Sequence, residues 1–408
     1  MKKYQKFLAA ALALCSVSTA AKAASYQLND YSVTNLGRSY AGVGIVGDDY
    51  SAIAYNPAGM TLKKKSGVQQ VFNLIGVKSD VREINGPGKA EMQFWQPIPA
   101  GFAQYNVNDS FFVGGGIYAP FGLKTKYKSD WFGSDSAILS KLDIVDFNLS
   151  MAYKLDNHWS IGASAILRYI YGRMTQTVPS AIGGGDINFN VHGWSQTGSL
   201  GLIYEVDEAT RFGVSYRLRS AQRAKGKFKT SNPILLGMMA GNDTVNANPD
   251  LPETVTFSAY HRIKNVGFSG TARWTHWTSS FPDFSIRSAG IPGGEKKSLY
   301  DYQNTWGLAL GADYYYDKEV TLRAGVGYDE SPTHKPERRS YRIPDSDRWW
   351  MSAGASYVKD NWQFDAAYAL LLAKSSRSTP EATANQPVTV RYKNTYSNIF
   401  GLQVQYSF

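Results

Sequence analysis

The chain has 408 residues, with 43 Lys and Arg against 33 Asp and Glu, for a formal net charge of +10 at pH 7. It contains 38 Gly, 27 Tyr and 10 Trp but a single cysteine, Cys15, which excludes a disulfide within the chain. No basic helix or stripe stands out, so the excess charge is expected to be spread over loops and a pore rather than to indicate nucleic-acid binding.

The N-terminal residues have the organisation of a secretory signal peptide. Residues 1–6 are basic, residues 7–14 are apolar, and residues 21–23 form an A-x-A cleavage site. We expect the mature chain to begin at Ala24, without cysteine and with a net charge of +6, because residues 1–23 carry four lysines and no acid (10 − 4). No later apolar run approaches the length of a membrane-spanning helix.

Residues 24–65 lack a strand-like alternation and are rich in small residues. Within them, Asn56-Pro57-Ala58 is predicted to form a tight turn, and Lys63-Lys64-Lys65 is predicted to lie in water. Residues 42–47 match G-x-G-x-x-G, but a dinucleotide site needs a preceding strand and a following helix, which the sequence does not show here. Close packing of small residues is therefore the better interpretation.

From residue 67 to the C-terminus, apolar and polar residues alternate with a period of two. Runs such as 320–328, 362–370 and 400–408 show this clearly, and the period places one set of side chains on each face of a sheet. The runs are about ten residues long, which fits a tilted span of a bilayer. Tyr and Trp cluster near their ends, as at a membrane interface. Because backbone amides find no water in a bilayer, only a closed barrel satisfies them.

Counting the runs predicts an all-β fold, a transmembrane, 14-stranded antiparallel β-barrel with both ends on the periplasmic side. Such a barrel encloses more lumen than its own side chains fill, so residues 24–65 are predicted to form an N-terminal hatch, or plug, inside the lumen. The predicted organisation is a signal peptide at 1–23, the hatch at 24–65 and the barrel at 66–408. The predicted strands span 67–80, 91–106, 109–119, 142–154, 158–176, 190–206, 210–225, 251–263, 265–279, 302–316, 319–329, 345–359, 361–375 and 390–408.

Several short segments follow one another in a recognisable order. They are Tyr26-Gln27-Leu28-Asn29, Leu36-Gly37-Arg38, Asp48-Asp49, Asn56-Pro57-Ala58, Leu251-Pro252-Glu253, Tyr314-Tyr315-Tyr316-Asp317, Asp329-Glu330-Ser331-Pro332 and Ile343-Pro344-Asp345-Ser346-Asp347-Arg348. In this order they resemble the FadL family of outer-membrane transporters for long-chain fatty acids and other hydrophobic compounds. The resemblance implies a hatch-filled barrel in the outer membrane of a Gram-negative bacterium. It also implies diffusion-driven uptake, with the substrate leaving sideways through the wall.

Prolines interrupt the second and third predicted strands. Pro97 and Pro99 fall within the second strand, although proline cannot donate a hydrogen bond to a sheet ladder and belongs at edges or bulges. A turn centred on Val107-Asn108 would place Pro99 opposite Gly116 and Pro97 opposite Tyr118. Two interpretations are open, an ordinary bulge and a kinked third strand that opens the wall to lipid. In the family such a kink forms a lateral gate, whose candidate residues here are Pro97, Pro99, Gly116, Ala119, Pro120 and Gly122.

Strand parity predicts which charged side chains face the lumen. On the fifth strand Trp159 and Ile161 take the outer face, so Arg168 points inward, and the same rule turns Arg323 and Asp329 inward. Two roles are open for such residues. Either they pair with one another and with the hatch, or one or two of the arginines bind a carboxylate. The same parity predicts inward positions for Arg217, Arg219 and Arg273.

The resemblance assigns the carboxylate of a fatty acid to an arginine on the fifth strand and a lysine before the tenth. Those positions fall on Gln176 and Ser298, with Lys296 and Lys297 close by, so neither ligand is kept in place. A fatty acid is one expected substrate and another hydrophobic small molecule is the alternative. Residues 226–250 are expected to form an extracellular loop. The candidate substrate-binding residues are Tyr26, Arg168, Gln176, Lys296, Lys297, Arg323 and Asp329.

Other functions are weighed against transport. The five histidines show no H-E-x-x-H spacing and no G-x-S-x-G occurs, so we do not expect an enzyme. No clustered ligands indicate a metal site, and no cofactor is expected. A porin-like or adhesin barrel without a dedicated hydrophobic substrate is the alternative, and it would lack the plug. The expected partners are a hydrophobic, fatty-acid-like molecule and outer-membrane lipid, not nucleic acid, and the barrel is expected to be a monomer.

Overall fold

The computed structural model describes residues 25–280, 283–379 and 388–408. The predicted signal peptide lies outside the described residues. The short helices are Val33–Gly37, Ala52–Tyr55 and Pro233–Met239, and the 3₁₀ turns are Pro57–Leu62, Ser180–Ile182, Trp277–Ser279 and Pro336–Arg338. The strands are β1 Gly67–Glu83, β2 Lys89–Asn106, β3 Phe111–Lys126, β4 Leu139–Lys154, β5 Trp159–Thr177, β6 Asp186–Glu205, β7 Thr210–Arg217, β8 Ala224–Thr230, β9 Thr244–Ala247, β10 Thr254–Ile263, β11 Val266–Thr275, β12 Asp283–Ser288, β13 Glu295–Leu299, β14 Thr305–Tyr315, β15 Val320–Asp329, β16 Arg348–Lys359, β17 Trp362–Ala373, β18 Ser376–Ser378 and β19 Val390–Ser407.

Fourteen of these strands form a closed antiparallel barrel. Chain neighbours pair from β1 through β7, then β7 pairs with β10, β10 with β11 and β11 with β14, and the order continues through β17 to β19. β19 pairs with β1, with Gly67 opposite Ser407, which closes the wall. Short turns join the strands at one end, which in outer-membrane barrels is the periplasmic end. The predicted 14-stranded barrel is confirmed.

The remaining strands extend the wall at the extracellular end. β6 continues past its pairing with β7 and pairs with β8, and the order then runs β8, β9, β12, β13. We call β8, β9, β12 and β13 the rim sheet. The expected loop at 226–250 therefore contains strands and a helix. The predicted seventh strand, 210–225, is too long, because the chain turns away after Arg217 and Ser220 pairs with Leu251 instead.

The two faces of the barrel wall differ as the alternation predicts. Outward side chains are large and apolar, with Leu149 73% exposed, Leu310 68% and Leu402 64%. Inward side chains such as Gln69 and Asp313 are polar and buried against the hatch. This arrangement suits lipid outside and a polar lumen inside.

Residues 25–65 fill the lumen as the predicted hatch. The helix Val33–Gly37 packs against β15, β16, β17 and β19, and the 3₁₀ turn Pro57–Leu62 packs against β3 to β6. The side-chain oxygen of Asn56 accepts a hydrogen bond from Ala58 N at 3.1 Å, and its amide nitrogen donates to carbonyl oxygens of β6 and β7. The turn Asn56-Pro57-Ala58 therefore fixes this part of the hatch to the inner wall.

Four charged side chains, of which Arg38, Asp313 and Arg323 are buried and Asp48 is partly exposed, join the hatch to the barrel, and we call them the hatch quartet. Arg38 and Asp48 belong to the hatch, Asp313 to β14 and Arg323 to β15. Arg38 Nη1 lies 2.7 Å from Asp48 Oδ2 and 3.0 Å from Asp313 Oδ1. Arg323 lies 3.1 Å from a carboxylate oxygen of each of the same two acids. Each cation thus contacts both anions, so the charges balance within the quartet.

Candidate functional site

The barrel wall has an unpaired seam between β2 and β3. Pairing between these strands ends at Gly101 opposite Ile117. From there β2 still runs outward to Lys89 and β3 to Lys126, but β2 is paired only with β1, and β3 only with β4 and, at Phe121, with the hatch. We use the name seam for this stretch, from the pair Gly101 and Ile117 to the extracellular end of the two strands.

A kink in β3 produces the seam. The register between β3 and β4 shifts between Tyr118 and Phe121, so Ala119 and Pro120 form a bulge. Pro120 has no N–H to donate to a neighbouring strand, and a bulge bends the strand that carries it. The expected interruption of the third strand thus lies where its proline predicts.

The register across the seam differs from the expected one. Gly116 lies opposite Phe102, not opposite Pro99. Pro97 and Pro99 lie in the part of β2 beyond its last pair with β3. Because β2 makes no hydrogen bonds to β3 there, a proline without an N–H is tolerated. The difference arises in the periplasmic turn, which spans residues 107–110. The side-chain oxygen of Asn108 holds this turn by accepting hydrogen bonds from the backbone N–H groups of Ser110 and Phe111, at 2.9 and 2.8 Å.

The N-terminus of the hatch takes the place of β2 beside the kink. Leu28 N donates to the carbonyl oxygen of Pro120 at 2.8 Å, and Gly122 N donates to that of Tyr26 at 2.7 Å. The Tyr26 ring is buried edge-on against Trp277, with ring centroids 5.2 Å apart. The kinked part of β3 is therefore hydrogen-bonded to the hatch on one side and to β4 on the other.

A large cavity adjoins the base of the seam. Its volume is about 930 Å³. It is lined by residues of β1 to β6, mostly apolar ones on the outer face. Its lining includes Gly101, Ala103, Gly116, Ile117, Phe147 and Leu149. The cavity thus lies on the outer side of the wall, at the level where the β2–β3 ladder ends.

A second cavity, of about 400 Å³, lies at the extracellular end, and we call it the extracellular cavity. Apolar side chains of β5, β6, β8 and the helix Pro233–Met239 form much of its wall. The candidate residues Gln176, Lys296 and Lys297 all line it. Its basic lining residues are Lys296, Lys297, Arg338, Arg339 and Arg342, and its acidic ones are Asp135 and Glu337.

Sequence reasoning missed Arg342, which lies beside the position where the resemblance expects an arginine. Arg342 Nη2 donates to Gln176 Oε1 at 2.6 Å, and its other terminal nitrogen donates to Ser140 Oγ at 3.1 Å. It has no acidic partner within the described residues, and desolvation lowers the pKa of its guanidinium to about 10. No sequence pattern predicts the position of Arg342, because this residue lies in the connection between β15 and β16, far from Gln176 in the chain.

The inward arginines of the lumen are held in ion pairs. Arg168 makes two hydrogen bonds with Asp146, at 2.6 and 2.8 Å, and Arg217 reaches the same carboxylate at 2.9 Å. Arg323 belongs to the hatch quartet. The parity rule is wrong for Arg219, which is 45% exposed and pairs with Asp250, because β7 has already ended.

Asp329 lies apart from the extracellular cavity. Its carboxylate accepts from Arg273 at 3.0 Å and from Trp350 Nε1 at 2.8 Å. It lines a separate cavity of about 60 Å³ in the lumen, together with Tyr31 and Tyr55 of the hatch. The candidate residues therefore fall into distinct places: Gln176, Lys296 and Lys297 share one cavity, whereas Tyr26, Arg168, Arg323 and Asp329 pack between hatch and barrel.

Two further observations concern the described part of the chain. Across residues 25–280, 283–379 and 388–408, no three His, Cys, Asp or Glu side chains are grouped so as to hold a metal ion. None of the helices in these ranges is long and apolar enough to cross a bilayer.

Comparison with known proteins adds to this geometry. The sequence model of a family described as outer membrane protein transport protein (OMPP1/FadL/TodX) matches residues 14–408. The long-chain fatty acid transport protein of Salmonella typhi is 29% identical over 387 residues, covering 86% of this chain and 87% of the relative. Outer membrane protein P1 of Haemophilus influenzae is 26% identical over 471 residues, covering 100% of both chains.

Solved structures support the fold. A FadL homologue of Pseudomonas aeruginosa superposes with a TM-score of 0.84 at 24% identity, covering 94% of this chain and 100% of that one. The toluene transporter TbuX of Ralstonia pickettii gives a TM-score of 0.67 at 21% identity, covering 92% and 100%.

Proposed function

The chain belongs to the OMPP1/FadL/TodX family of outer-membrane transport proteins, and we propose that it takes up long-chain fatty acids by diffusion. It is an outer-membrane protein of a Gram-negative bacterium that transports fatty acids or hydrophobic aromatic compounds, and it is not an enzyme. The choice of a fatty acid within that range, and the route through the wall, are the proposal.

The lining of the extracellular cavity is the observation that favours a fatty acid as the substrate. A fatty acid has an apolar tail and one carboxylate, and the cavity combines an apolar wall with basic side chains that outnumber its acids. Arginine and lysine make charge-assisted hydrogen bonds to carboxylates. Arg342, Lys296 and Lys297 are the proposed carboxylate ligands, with Gln176 positioning Arg342. A hydrocarbon such as toluene offers no charge to match them. The name of the Salmonella relative, a long-chain fatty acid transport protein, supports the same choice.

The seam is the proposed exit. Transferring a methylene group into water costs about 0.8 kcal/mol, so a chain of about fourteen would cost on the order of 11 kcal/mol. A tail that moves from an apolar cavity directly into the bilayer avoids most of this cost. The unpaired β2–β3 edge and the cavity at its base support a sideways path, because no hydrogen bond between β2 and β3 has to break there and only the two hatch bonds to Pro120 and Gly122 stand beside β3.

Binding measurements test the substrate. We expect the purified barrel to bind oleate more tightly than oleyl alcohol, which has the same tail without the charge. The variant Lys296→Gln/Lys297→Gln/Arg342→Gln should lose about tenfold or more in oleate affinity, since each hydrogen bond to a charged group contributes about 1.5–3 kcal/mol, and should keep its affinity for oleyl alcohol. Lys374→Gln, in a rim ion pair with Asp347, is the matched control. Equal binding of oleate and oleyl alcohol by the wild type, or tighter binding of toluene, would overturn the proposal.

The exit is tested separately. Ala119 is 4% exposed at the kink, and we expect Ala119→Arg to depress oleate uptake while the barrel still assembles, because the long charged side chain occupies the seam. Ala152→Arg is the matched control, an inward alanine on β4 that is 2% exposed and lies near the periplasmic end, away from the seam. Heat-dependent mobility in gels reports assembly. Wild-type uptake by an assembled Ala119→Arg barrel would contradict a sideways exit.

A further inference from the structure

The outer face of β4 to β6 changes character from the bilayer towards the extracellular rim. Partners across a ladder share a face, so its residues can be read in rows. One row contains Phe147 and Leu167, which are large, apolar and exposed. The next row outward contains Tyr169 opposite Trp194, with ring centroids 5.0 Å apart. Aromatic side chains of this kind mark the interface between bilayer and water.

Beyond these aromatic residues the same face becomes basic. One row crosses β3, β4, β5, β6 and β8 in register, with Lys124 opposite Lys141, Lys141 opposite Arg173, Arg173 opposite Asn190 and Asn190 opposite Lys227. The rows on either side of it add further lysines from β3 and the rim sheet. We call this surface the basic band, and its members are Lys124, Lys126, Lys141, Arg173, Lys225, Lys227 and Lys229.

The basic band is not neutralised by its surroundings. The acids near it are Asp143, Asp186 and Asp243, which leaves an excess of four positive charges (7 − 3). Asp143 pairs with Lys141 at 2.9 Å, and Asp243 pairs with Lys227 at 2.9 Å. Among the described residues, the other lysines of β3 and β8 and the single arginine have no acid within ion-pair distance.

Elsewhere on the extracellular rim, charged residues include opposite pairs, such as Lys374 with Asp347 at 3.0 Å. A shorter basic row also occurs there, with Arg82 opposite Lys89 on one side and opposite Arg391 on the other. Like charges aligned in adjacent strands repel one another, so an anion lying across the rows of the basic band would stabilise it.

We propose that the basic band binds the phosphate groups of an anionic lipid in the outer leaflet. The band continues the lipid-facing wall directly above its aromatic residues, which is the level of the lipid headgroups. Basic clusters beside a membrane bind anionic headgroups electrostatically. The lipid lies alongside β3 to β8, and its acyl chains cover the apolar rows below. This inference rests on the barrel lying in the membrane and not on the choice of transported substrate.

Native mass spectrometry of the detergent-solubilised protein tests it. The probes are dioleoyl phosphatidic acid, which carries a phosphomonoester, and dioleoyl phosphatidylcholine, which has no net charge. We expect the wild type to retain phosphatidic acid in preference, and Lys225→Gln/Lys227→Gln/Lys229→Gln to lose that preference by about tenfold or more. The matched control, Lys264→Gln/Lys318→Gln/Lys359→Gln, removes the same charge from periplasmic turns and should behave as the wild type.

Three outcomes would overturn the proposal. The first is that the wild type binds both lipids equally. The second is that the β8 variant keeps the full preference for phosphatidic acid, and the third is that the periplasmic variant loses as much of this preference as the β8 variant. Inorganic phosphate at the same concentration serves as a competitor. If it displaces phosphatidic acid completely, the band is a free-phosphate site rather than a lipid site. Because the mutated side chains are exposed and β8 lies outside the barrel ladder, the variant barrel should fold, and heat-dependent mobility checks that it does.

Discussion

The hatch quartet gives a quantitative prediction for Asp313→Asn. The carboxylate of Asp313 contacts Arg38 at 3.0 Å and Arg323 at 3.1 Å. At an effective dielectric constant of about 20, each contact contributes about 5.5 kcal/mol of Coulomb energy, or about 11 kcal/mol for the two. Dehydrating the carboxylate offsets most of this, so removing one charge from such a buried group is expected to cost about 3–5 kcal/mol.

Because two members of the quartet belong to the hatch, this loss should loosen the hatch in the lumen. We expect Asp313→Asn to raise ion conductance in planar bilayers and to expose the basic residues of the hatch to trypsin. Asp329→Asn is the matched control, since Asp329 pairs at 3.0 Å with Arg273 and both lie on barrel strands. The reasoning is wrong if Asp313→Asn keeps the conductance and protease resistance of the wild type, or if the Asp329 variant changes as much.

Two other changes follow from single contacts. A Cβ at Gly325 would lie 2.2 Å from the carbonyl carbon of Arg38. We therefore expect Gly325→Ala to lower the stability of the barrel in thermal denaturation by about 1–3 kcal/mol. Gly327→Ala, whose Cβ would have its nearest contact at 3.2 Å, should cost less, and equal costs would contradict this reasoning. As a proposed carboxylate ligand, Arg342 would act through its charge, so Arg342→Lys, which keeps a charge, should retain more of the wild-type oleate affinity than Arg342→Gln, and equal losses in the two variants would show that its charge is not used.

The barrel could be predicted from the sequence because its signal is local. A period of two reports the face of each side chain without any knowledge of its neighbours across the sheet, and the bilayer excludes every open sheet. The register across the seam could not be read in the same way. It depends on the length of one turn. That turn spans residues 107–110 and is fixed by hydrogen bonds from the backbone to the side chain of Asn108. A shift of this size changes every pair between β2 and β3.

The extracellular cavity shows the second limit. Gln176 and Lys296 could be placed near it from the resemblance, but Arg342 approaches from a connection without regular alternation. The rim sheet is a similar case, because strands beyond the bilayer need no apolar face. Even so, Lys225, Lys227 and Lys229 alternate along β8, and this pattern is visible in the sequence. It indicates a strand with one solvent-exposed face, although residues 226–250 were expected to form a loop.

The hatch quartet also bears on how a substrate passes the barrel without an energy source. Releasing the hatch breaks these contacts, and a cost of about 3–5 kcal/mol corresponds to a fraction of about one molecule in a hundred to about one in several thousand, since about 1.4 kcal/mol is a factor of ten. The remaining hydrogen bonds of Asn56 and Leu28 lower that fraction further. A path through the seam does not require the quartet to break, because β2 and β3 are already unpaired beyond Gly101 and the hatch bonds there are those of Leu28 N and Gly122 N. Under the proposed sideways exit, a substrate that moves only down its own gradient would pass without release of the whole hatch, and the hatch would serve as the inner wall of that path.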